Sequence, residues 1–270
     1  MTKIMDEDLK LEMQDNIAVL TINRPETRNP LGHEGDGERF AQAAQKINAE
    51  KNLRCVVMTG AGKAFSAGGD LKSMKERSGH FGGNALQLRD HYRDSIHGII
   101  RSLWNIEVPM VGAINGPAIG LGNDVASLCD IRIAGESAKF GATFLKLGLL
   151  PGDGGAWLLP RHIGWSRASQ LFYTGDVIDA TTALEWDLVS EVVPDAELMD
   201  RAMELADSIA KQPPQALRMT KKLMRDGSMN NFEAIMEMSA ALQVTLQRTD
   251  DHFEAVDAFF EKRQPIFKGK

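Results

Sequence analysis

The sequence predicts an α/β fold followed by a helical C-terminal region. Over roughly the first two hundred residues, short apolar runs typical of strands alternate with helical segments. Two glycine-rich turns, about fifty residues apart, each follow such a run and each open a helical segment. From Asp195 onward only helical patterns remain. We therefore expect an α/β core over residues 1–195 and a helical region over residues 196–270.

The elements of the core follow from apolar runs taken in chain order. Residues 17–22 read as a strand, residues 40–48 as a helix, residues 53–59 as a second strand and residues 110–114 as a third. After Lys72 the pattern breaks into a turn-rich stretch, with residues 78–83 between charged helical pieces. The whole 73–95 segment is either a mobile lid or an ordinary surface loop.

The C-terminal helices are separated by breaks at residues 211–214 and near residues 225–228. In residues 229–246, apolar side chains recur near helical spacing and form a broad apolar face, made of Ile235, Met236, Met238, Leu242 and Leu246. Leaving such a face in water is unfavourable. We expect it to pack on the core or on another subunit.

Composition and charge narrow the class of protein. With 270 residues, 43% hydrophobic and 25% charged, the chain is long enough for a substantial core. A formal charge of −6 argues against general binding to nucleic acid. The first eight residues lack a signal-peptide core and no stretch nears the roughly 18 apolar residues of a membrane span, so we expect a cytoplasmic protein without membrane partners.

Several kinds of site are disfavoured by motif. The cysteines, Cys55 and Cys129, lie in apolar runs without metal-ligand spacing, so we expect buried thiols and no metal site. A phosphate loop fails at residues 60–64, and Val125 stands where a dinucleotide-binding turn needs its third glycine. There is also no H-E-x-x-H and no G-x-S-x-G. His80 and His91 fall in or near the turn-rich stretch and are expected to be exposed.

The two glycine-rich turns are Phe-Ser-Ala-Gly-Gly-Asp-Leu-Lys at residues 65–72 and Asn-Gly-Pro-Ala-Ile-Gly-Leu-Gly-Asn-Asp at residues 115–124. Glycines suit any tight turn that needs positive φ or close backbone approach. Two such turns at strand ends also leave backbone N–H groups free. Aimed at one point, those groups would stabilise an oxygen that gains negative charge during a reaction, helped at one turn by the positive end of a helix.

The motifs around these turns resemble those of the crotonase family, also called the enoyl-CoA hydratase/isomerase family. The similar segments, in order over nearly the whole chain, are residues 23–29, 64–72, 115–124, 129–132, 140–141, 147–155 and 258–263. The resemblance implies a spiral of β-β-α units and a C-terminal helical region that forms a homotrimer or a dimer of trimers. It also implies an acyl-CoA substrate, with coenzyme A part of that substrate and no permanently bound cofactor.

The resemblance also assigns binding roles to particular residues. The backbone N–H groups of Gly69 and Leu121 would bind the thioester oxygen, each contributing up to about 2.7–4 kcal/mol to the transition state. Arg28, Ala67 and Lys72 match positions that bind coenzyme A. Phe259 and Lys262 match positions that reach the coenzyme A of a neighbouring subunit.

The acid and base depart from the family's pattern. Hydratases of the family carry two glutamates, and here the matching positions hold Asp124 and Phe144. Because phenylalanine transfers no proton, we place Phe144 in the acyl pocket and expect standard hydration to be impaired. Asp124 is the main catalytic candidate, since an apolar pocket would raise its pKa and make it a better base.

A further carboxylate, Asp153, lies one residue after the position, here Gly152, at which some family members carry a catalytic aspartate. Asp153 is either catalytic or the N-cap of the next helix. Asp70 is expected to anchor its loop through backbone hydrogen bonds. The favoured function is a double-bond shift in an enoyl-CoA; the alternatives are a hydratase with an unusual acid/base set and an inactive acyl-CoA-binding paralogue.

Overall fold

The protein is described by a computed structural model that covers residues 2–5 and 7–270. Its strands are β1 (Thr2–Met5), β2 (Leu9–Gln14), β3 (Ile17–Ile22), β4 (Pro30–Leu31), β5 (Cys55–Gly60), β6 (Gly68–Gly69), β7 (Met110–Ile114), β8 (Pro117–Ile119), β9 (Ile131–Gly135), β10 (Lys139–Gly141), β11 (Val177–Asp179) and β12 (Glu191–Val193). Its α-helices are α1 (Asp36–Ala49), α2 (Leu71–Glu76), α3 (Ala85–Asp94), α4 (Ile96–Trp104), α5 (Leu121–Ser127), α6 (Gly155–Thr174), α7 (Ala180–Glu185), α8 (Leu198–Ala210), α9 (Pro214–Gly227), α10 (Phe232–Leu246) and α11 (Asp250–Glu261). Short 3-10 helices lie at Pro25–Thr27, Gly79–Phe81, Thr143–Leu147 and Asp195–Glu197.

The central sheet has seven strands in the order β1-β2-β3-β5-β7-β9-β12. The first three are antiparallel, and those from β3 to β12 are parallel. Every residue of β5 and β7 is buried, as expected for parallel strands covered on both faces. Smaller sheets, β11-β10-β8 and β4-β6, flank it.

The two faces of the central sheet have different covers. Along β5, Val56 and Met58 belong to the main core with α1, α4 and α6, whereas Cys55 and Val57 pack with the alanine face of α8. The alternation is the two-residue period of a strand. The helical region predicted from residue 196 thus begins with a helix that covers the core sheet. Both cysteines are buried and unpaired, as predicted, and burial raises the pKa of each thiol to about 12.

The predicted elements are largely confirmed. Strands β3 and β7 have the predicted bounds. The predicted helix over residues 40–48 corresponds to α1 and the predicted strand over residues 53–59 to β5, both with shifted ends, and only helices follow residue 198. One difference is that the short strands β6 and β8 lie within the glycine-rich segments themselves. Strand β6 forms by pairing with β4, and β8 forms by pairing with β10. A separate isolated bridge joins the two turns at Ser66 and Ala118. The 73–95 segment is mostly helical, in α2 and α3.

The last helices carry apolar side chains that the described chain leaves uncovered. No residue of α10 is buried, and α10 packs mainly against α9. The large exposed apolar side chains of α10 and α11 are Phe232, Met236, Val244, Phe253, Val256, Phe259 and Phe260. Of the predicted α10 face, Met236 is exposed and the other four residues are half-buried, so what covers the rest of the face stays a prediction. No described helix is both long and apolar enough to span a bilayer.

Candidate active site

Both glycine turns open onto one cleft of about 1300 Å³. Its floor includes residues 67–69 of the first turn and residues 119–121 of the second. Helices α2, α3 and α4 and the 3-10 helix Thr143–Leu147 supply the other walls. The lining is mainly apolar, which suits an acyl chain.

The first turn is held by buried polar side chains. Asn29, in a left-handed conformation with φ 57°, donates from Nδ2 to the carbonyls of Ala61 (2.8 Å) and Ala64 (2.7 Å). Ser66 Oγ in turn donates to the carbonyl of Asn29 (2.7 Å) and accepts the N–H of Gly68 (3.2 Å). The first glycine turn is therefore held in place by the hydrogen bonds of Asn29 and Ser66.

The second turn is docked directly on the first. The N–H of Ile119 donates to the carbonyl of Ser66 (3.0 Å), and the N–H of Ser66 donates to the carbonyl of Pro117 (3.0 Å). A Cβ added at Gly68 would lie 2.4 Å from the Ile119 carbonyl oxygen, and one added at Gly122 would lie 2.4 Å from the Ser66 carbonyl oxygen. Glycine at these positions is what lets the two backbones touch.

The residues predicted to bind the oxyanion lie in the two turns that form this contact. Leu121 is the first residue of α5, where a backbone N–H has no partner within the helix. Gly69 lies in β6, and both residues line the cleft. The convergence of their two N–H groups on a single oxygen stays a prediction.

Asp124 is completely buried behind the cleft wall and is not among the lining residues. Its Oδ2 accepts the N–H of Gly155 (2.9 Å), while Oδ1 has no hydrogen-bond partner among the described residues. Burial, and to a lesser degree the nearby Asp153 carboxylate, raise the pKa of Asp124 well above its usual range. The protonated form of Asp124 is favoured accordingly.

Asp153 does line the cleft although it is only 4% exposed. Its Oδ1 accepts a hydrogen bond from the hydroxyl of Tyr92. Burial raises the pKa of Asp153, whereas the Tyr92 hydrogen bond and His97 act in the opposite direction. Asp153 does not cap α6: that helix starts at Gly155, its N-cap is Gly154, and no side chain caps it. The N-cap alternative is therefore wrong.

Phe144, at the position of the missing glutamate, is 8% exposed and lines the cleft. Its ring lies against the second turn, since a Cβ added at Gly120 would be 3.8 Å from Phe144 Cζ. The apolar ring removes water from this wall and provides no group for proton transfer. Placing Phe144 in the acyl pocket is compatible with this position.

The residues expected to bind coenzyme A are dispersed. Ala67 lines the cleft and donates its N–H to the carbonyl of Arg28 (2.8 Å), but Arg28 and Lys72 are exposed and outside the lining. Phe259 is 79% exposed on α11, and Lys262 follows that helix. Their contact with coenzyme A, from this or a neighbouring subunit, stays a prediction.

Two smaller predictions have clear outcomes. Asp70 does anchor its loop: it is the N-cap of α2 and accepts the N–H groups of Lys72 (3.0 Å) and Ser73 (3.2 Å). His80 and His91 are half-buried rather than exposed, because their rings pack edge to face with centroids 5.0 Å apart.

Sequence reasoning missed several residues of the cleft. Tyr92 and His97 contact the 152–153 turn, and four cations also line the cleft: Lys75, Arg89, Arg93 and Arg101. A tyrosine and basic residues on an amphipathic helix carry no distinctive motif. Their signal is three-dimensional: α3 and α4 line the same cleft as the glycine turns.

The fold and this cleft define a crotonase-fold protein. The family model described as "Enoyl-CoA hydratase/isomerase" matches residues 12–270, and the chain belongs to that family of enzymes. It is 35% identical over 266 residues, covering 98% of this chain and 100% of the relative, to the 1,2-epoxyphenylacetyl-CoA isomerase of Escherichia coli K12. It is 32% identical to the 2,3-dehydroadipyl-CoA hydratase of the same organism, covering 97% and 99%.

Solved structures agree. A crystal structure of enoyl-CoA hydratase from Bacillus anthracis superposes with a TM-score of 0.90 at 35% identity, covering 97% of this chain and 100% of that one. One from Mycobacterium abscessus, titled a putative enoyl-CoA hydratase/isomerase, gives 0.88 at 34% identity over 97% and 100%. Family membership supports an acyl-CoA thioester as the substrate class.

Proposed function

We propose that the protein shifts a double bond of an enoyl-CoA through a thioester enolate. The backbone N–H groups of Gly69 and Leu121 bind the enolate oxygen, and the carboxyls of Asp153 and Asp124 handle the proton. The observation that carries this proposal is the position of Asp153, a nearly buried carboxyl in the wall of the cleft that both glycine turns line.

The two carboxyls have different tasks in this proposal. Asp153 is the one with access to the cleft, so it removes a proton from one carbon of the acyl group and returns it to another. Its raised pKa strengthens it as a base and lets it hold the proton between the two steps. Burial raises the pKa of Asp124, so we assign Asp124 the protonated state in this proposal, which avoids a second negative charge beside Asp153.

Isomerisation suits this arrangement better than standard hydration. Hydration by the family's two-glutamate mechanism needs a second proton-transfer group where Phe144 stands. A double-bond shift needs only one base that carries its proton, because the substrate and the product contain the same atoms. The enolate that forms in between places its charge on the oxygen facing the two turns.

The test is hydrogen exchange in deuterated water. The wild type should incorporate deuterium at the α or γ carbon of an enoyl-CoA thioester. Asp153→Asn should slow exchange about 10²- to 10⁴-fold, the usual contribution of a general acid–base, while thioester affinity changes little. The matched control is Asp187→Asn, since Asp187 has an 87% exposed side chain and should be replaceable without effect. Exchange at the wild-type rate in Asp153→Asn refutes the assignment.

Asp124→Asn completes the comparison between the carboxyls. An amide keeps the shape and removes the proton, so we expect slower exchange than in the wild type but a smaller loss than in Asp153→Asn. A larger loss in Asp124→Asn would make Asp124 the base. Binding without exchange or turnover in the wild type would favour the inactive acyl-CoA-binding paralogue.

Hydration is the second candidate, favoured by the packing of two interacting carboxyls beside one cleft. Several relatives are named as hydratases, including the 2,3-dehydroadipyl-CoA hydratase. A pair of aspartates would then position the water. Loss of the enoyl-thioester absorbance with uptake of ¹⁸O from labelled water distinguishes hydration from isomerisation, in which no oxygen enters the product.

A homotrimer, or a dimer of trimers, belongs to the same proposal. It is supported by the apolar side chains that α10 and α11 leave uncovered, among them Phe253, Phe259 and Phe260. Sedimentation velocity measures the assembly directly, and a monomer at micromolar concentration would contradict it. A cytoplasmic location, and coenzyme A as part of the substrate rather than a resident cofactor, also remain part of the proposal.

A further inference from the structure

We propose that Tyr92 is a positioning residue for Asp153: its hydroxyl holds one carboxylate oxygen so that the other is presented to the acyl group. This inference rests on the proposed function for the role of Asp153, but the contact itself is independent of it. Tyr92 lies on α3, within the segment whose role the sequence leaves open. That segment therefore carries part of the site rather than only covering it.

The hydrogen bond divides the two oxygens of Asp153. Oδ1 accepts the Tyr92 hydroxyl, and Oδ2 accepts no hydrogen bond from the described residues. Tyr92 and Asp153 both line the cleft, so the unoccupied oxygen belongs to a carboxyl that meets the ligand space. Burial and the Asp153 carboxylate raise the pKa of Tyr92, which keeps the phenol protonated as a donor.

A second contact fixes Tyr92 and the turn it touches. The rings of Tyr92 and His97 pack edge to face, with centroids 4.9 Å apart. His97 Nε2 lies 3.0 Å from the carbonyl oxygen of Gly152, the residue before Asp153. Helices α3 and α4 thus hold the 152–153 turn at both residues, which restricts the orientation of the carboxyl.

Glycine at 152 is what makes room for this contact. A Cβ added there would lie 2.8 Å from the Tyr92 hydroxyl oxygen, closer than real side chains tolerate. Leu150 Cδ1 would be the next nearest atom at 3.1 Å, so the Tyr92 hydroxyl is the tightest of the contacts, all of which are with side chains. The hydrogen bond between Tyr92 and Asp153 therefore depends on glycine at position 152.

The effect of the Tyr92 hydrogen bond on the pKa of Asp153 can be measured separately from that of the charged groups nearby. The titratable groups that act on it are Tyr92 from α3, His97 from α4 and Asp124 from α5. Four cations, Lys75, Arg89, Arg93 and Arg101, line the same cleft. Of these groups, only the Tyr92 hydroxyl donates a hydrogen bond to the carboxylate, so removing that hydroxyl changes Asp153 without changing any formal charge.

The test compares Tyr92→Phe with Tyr173→Phe. These are the two tyrosines of the chain, and Tyr173 is 75% exposed and remote from the cleft lining. Carboxyl ¹³C NMR of the ligand-free enzyme, with the Asp153 signal assigned by its loss in Asp153→Asn, gives the titration midpoint. A donor to a carboxylate stabilises the ionised form, so Tyr92→Phe should move that midpoint to higher pH and Tyr173→Phe should not.

Catalysis gives a second readout. Since Asp153 acts as a base when ionised, the acidic limb of the pH–rate profile should move to higher pH by the same amount in Tyr92→Phe. We expect kcat to fall about 10- to 100-fold near neutral pH, the effect of losing a hydrogen bond to a charged group, with KM nearly unchanged. Gly152→Ala, which displaces the hydroxyl without removing it, should reproduce both changes.

The outcomes separate this inference from the proposed function. If the wild type catalyses neither exchange nor a double-bond shift but the NMR midpoint still moves in Tyr92→Phe, the proposed function fails and the contact stands. If exchange is normal and the midpoint in Tyr92→Phe equals that of the wild type, the positioning role is overturned. A wild-type thermal unfolding midpoint in Tyr92→Phe excludes a folding defect as the cause of either change.

Discussion

Gly122→Ala tests whether the close contact between the two glycine turns is needed for activity. Gly122 is the second residue of α5, and its φ lies outside the left-handed region. Alanine is favoured over glycine inside a helix by roughly 0.8–1 kcal/mol, so the substitution by itself should stabilise α5. Any loss must then come from contact with the first turn.

The size of that loss follows from the geometry. An ideal Cβ at residue 122 would lie 2.4 Å from the Ser66 carbonyl oxygen and 2.8 Å from Ser66 Cβ, whereas ordinary contact begins at 3.4 Å. The two turns must separate by about 1 Å, at an overpacking cost of about 1–3 kcal/mol. Because Leu121 adjoins residue 122, its N–H moves with the turn. A misplacement of about 1 Å costs on the order of 10²-fold in rate.

The assay combines urea unfolding with deuterium exchange into an enoyl-CoA thioester. Gly227→Ala is the matched control: Gly227 is also helical, at the end of α9, and no atom lies within 4 Å of its added Cβ. We expect Gly227→Ala to be as active as the wild type and equally or slightly more stable. If Gly122→Ala keeps wild-type exchange and is also stabilised, the contact between the turns is not what positions the Leu121 amide.

Three further predictions concern the residues that hold the core and the first turn. Asp130→Ala removes the carboxylate 2.7 Å from Lys221, a lysine only 5% exposed, but the Asp130 side chain is 33% exposed and Lys221 keeps its hydrogen bond to the Val108 carbonyl. We therefore expect the free energy of unfolding in urea to fall by about 1–3 kcal/mol. Glu204→Ala, at an exposed pair, should cost less than about 1 kcal/mol, and equal losses would contradict the argument. Burial lowers the pKa of Lys221 from 10.5 to about 8. Between pH 8 and 10.5 the unfolded chain therefore binds more protons at Lys221 than the folded chain does. The free energy of unfolding of the wild type, relative to that of Lys221→Met, should rise over this interval. A flat difference across that interval would refute the shift. Ser66→Ala loses two hydrogen bonds, the one that Ser66 Oγ donates to the Asn29 carbonyl (2.7 Å) and the one that it accepts from the Gly68 N–H (3.2 Å). We expect about 1–3 kcal/mol lower stability, and a lower kcat at unchanged KM in the exchange assay. An unaltered kcat would show that these hydrogen bonds do not position the turn.

Much of the fold was predictable because its signals are local. Strands β3 and β7 have the bounds that their apolar runs indicate, and the helices after residue 198 follow from periodicity and from prolines such as Pro213 and Pro214. The short strands β6 and β8 were not predictable in this way. Two or three residues carry no period, and these strands are defined only by their pairing with β4 and β10, segments distant in sequence.

The part of the candidate site that is formed by backbone groups was predictable from the sequence. Gly69 and Leu121 reach one cleft because glycine-rich turns after parallel strands meet at the same edge, a consequence of topology. Which carboxyl reaches the cleft could not be predicted in this way, because that depends on the direction of each side chain. Asp124 lies three residues beyond Leu121 but is turned into the protein, whereas Asp153, on a separate turn, lines the cleft. Sequence distance from a glycine turn is therefore a poor guide to which carboxyl lines the cleft.

Tyr92 illustrates the remaining limit. On α3 it is one polar aromatic residue in a helix without buried positions, a pattern typical of a solvated surface. It becomes part of the site only because α3 runs over residues 152–153, where glycine leaves space and the following aspartate accepts its hydroxyl. Each partner alone has an ordinary interpretation: a surface tyrosine, a turn glycine, a helix-capping aspartate. The three are informative only as a set, and the set forms through contacts some sixty residues apart in sequence.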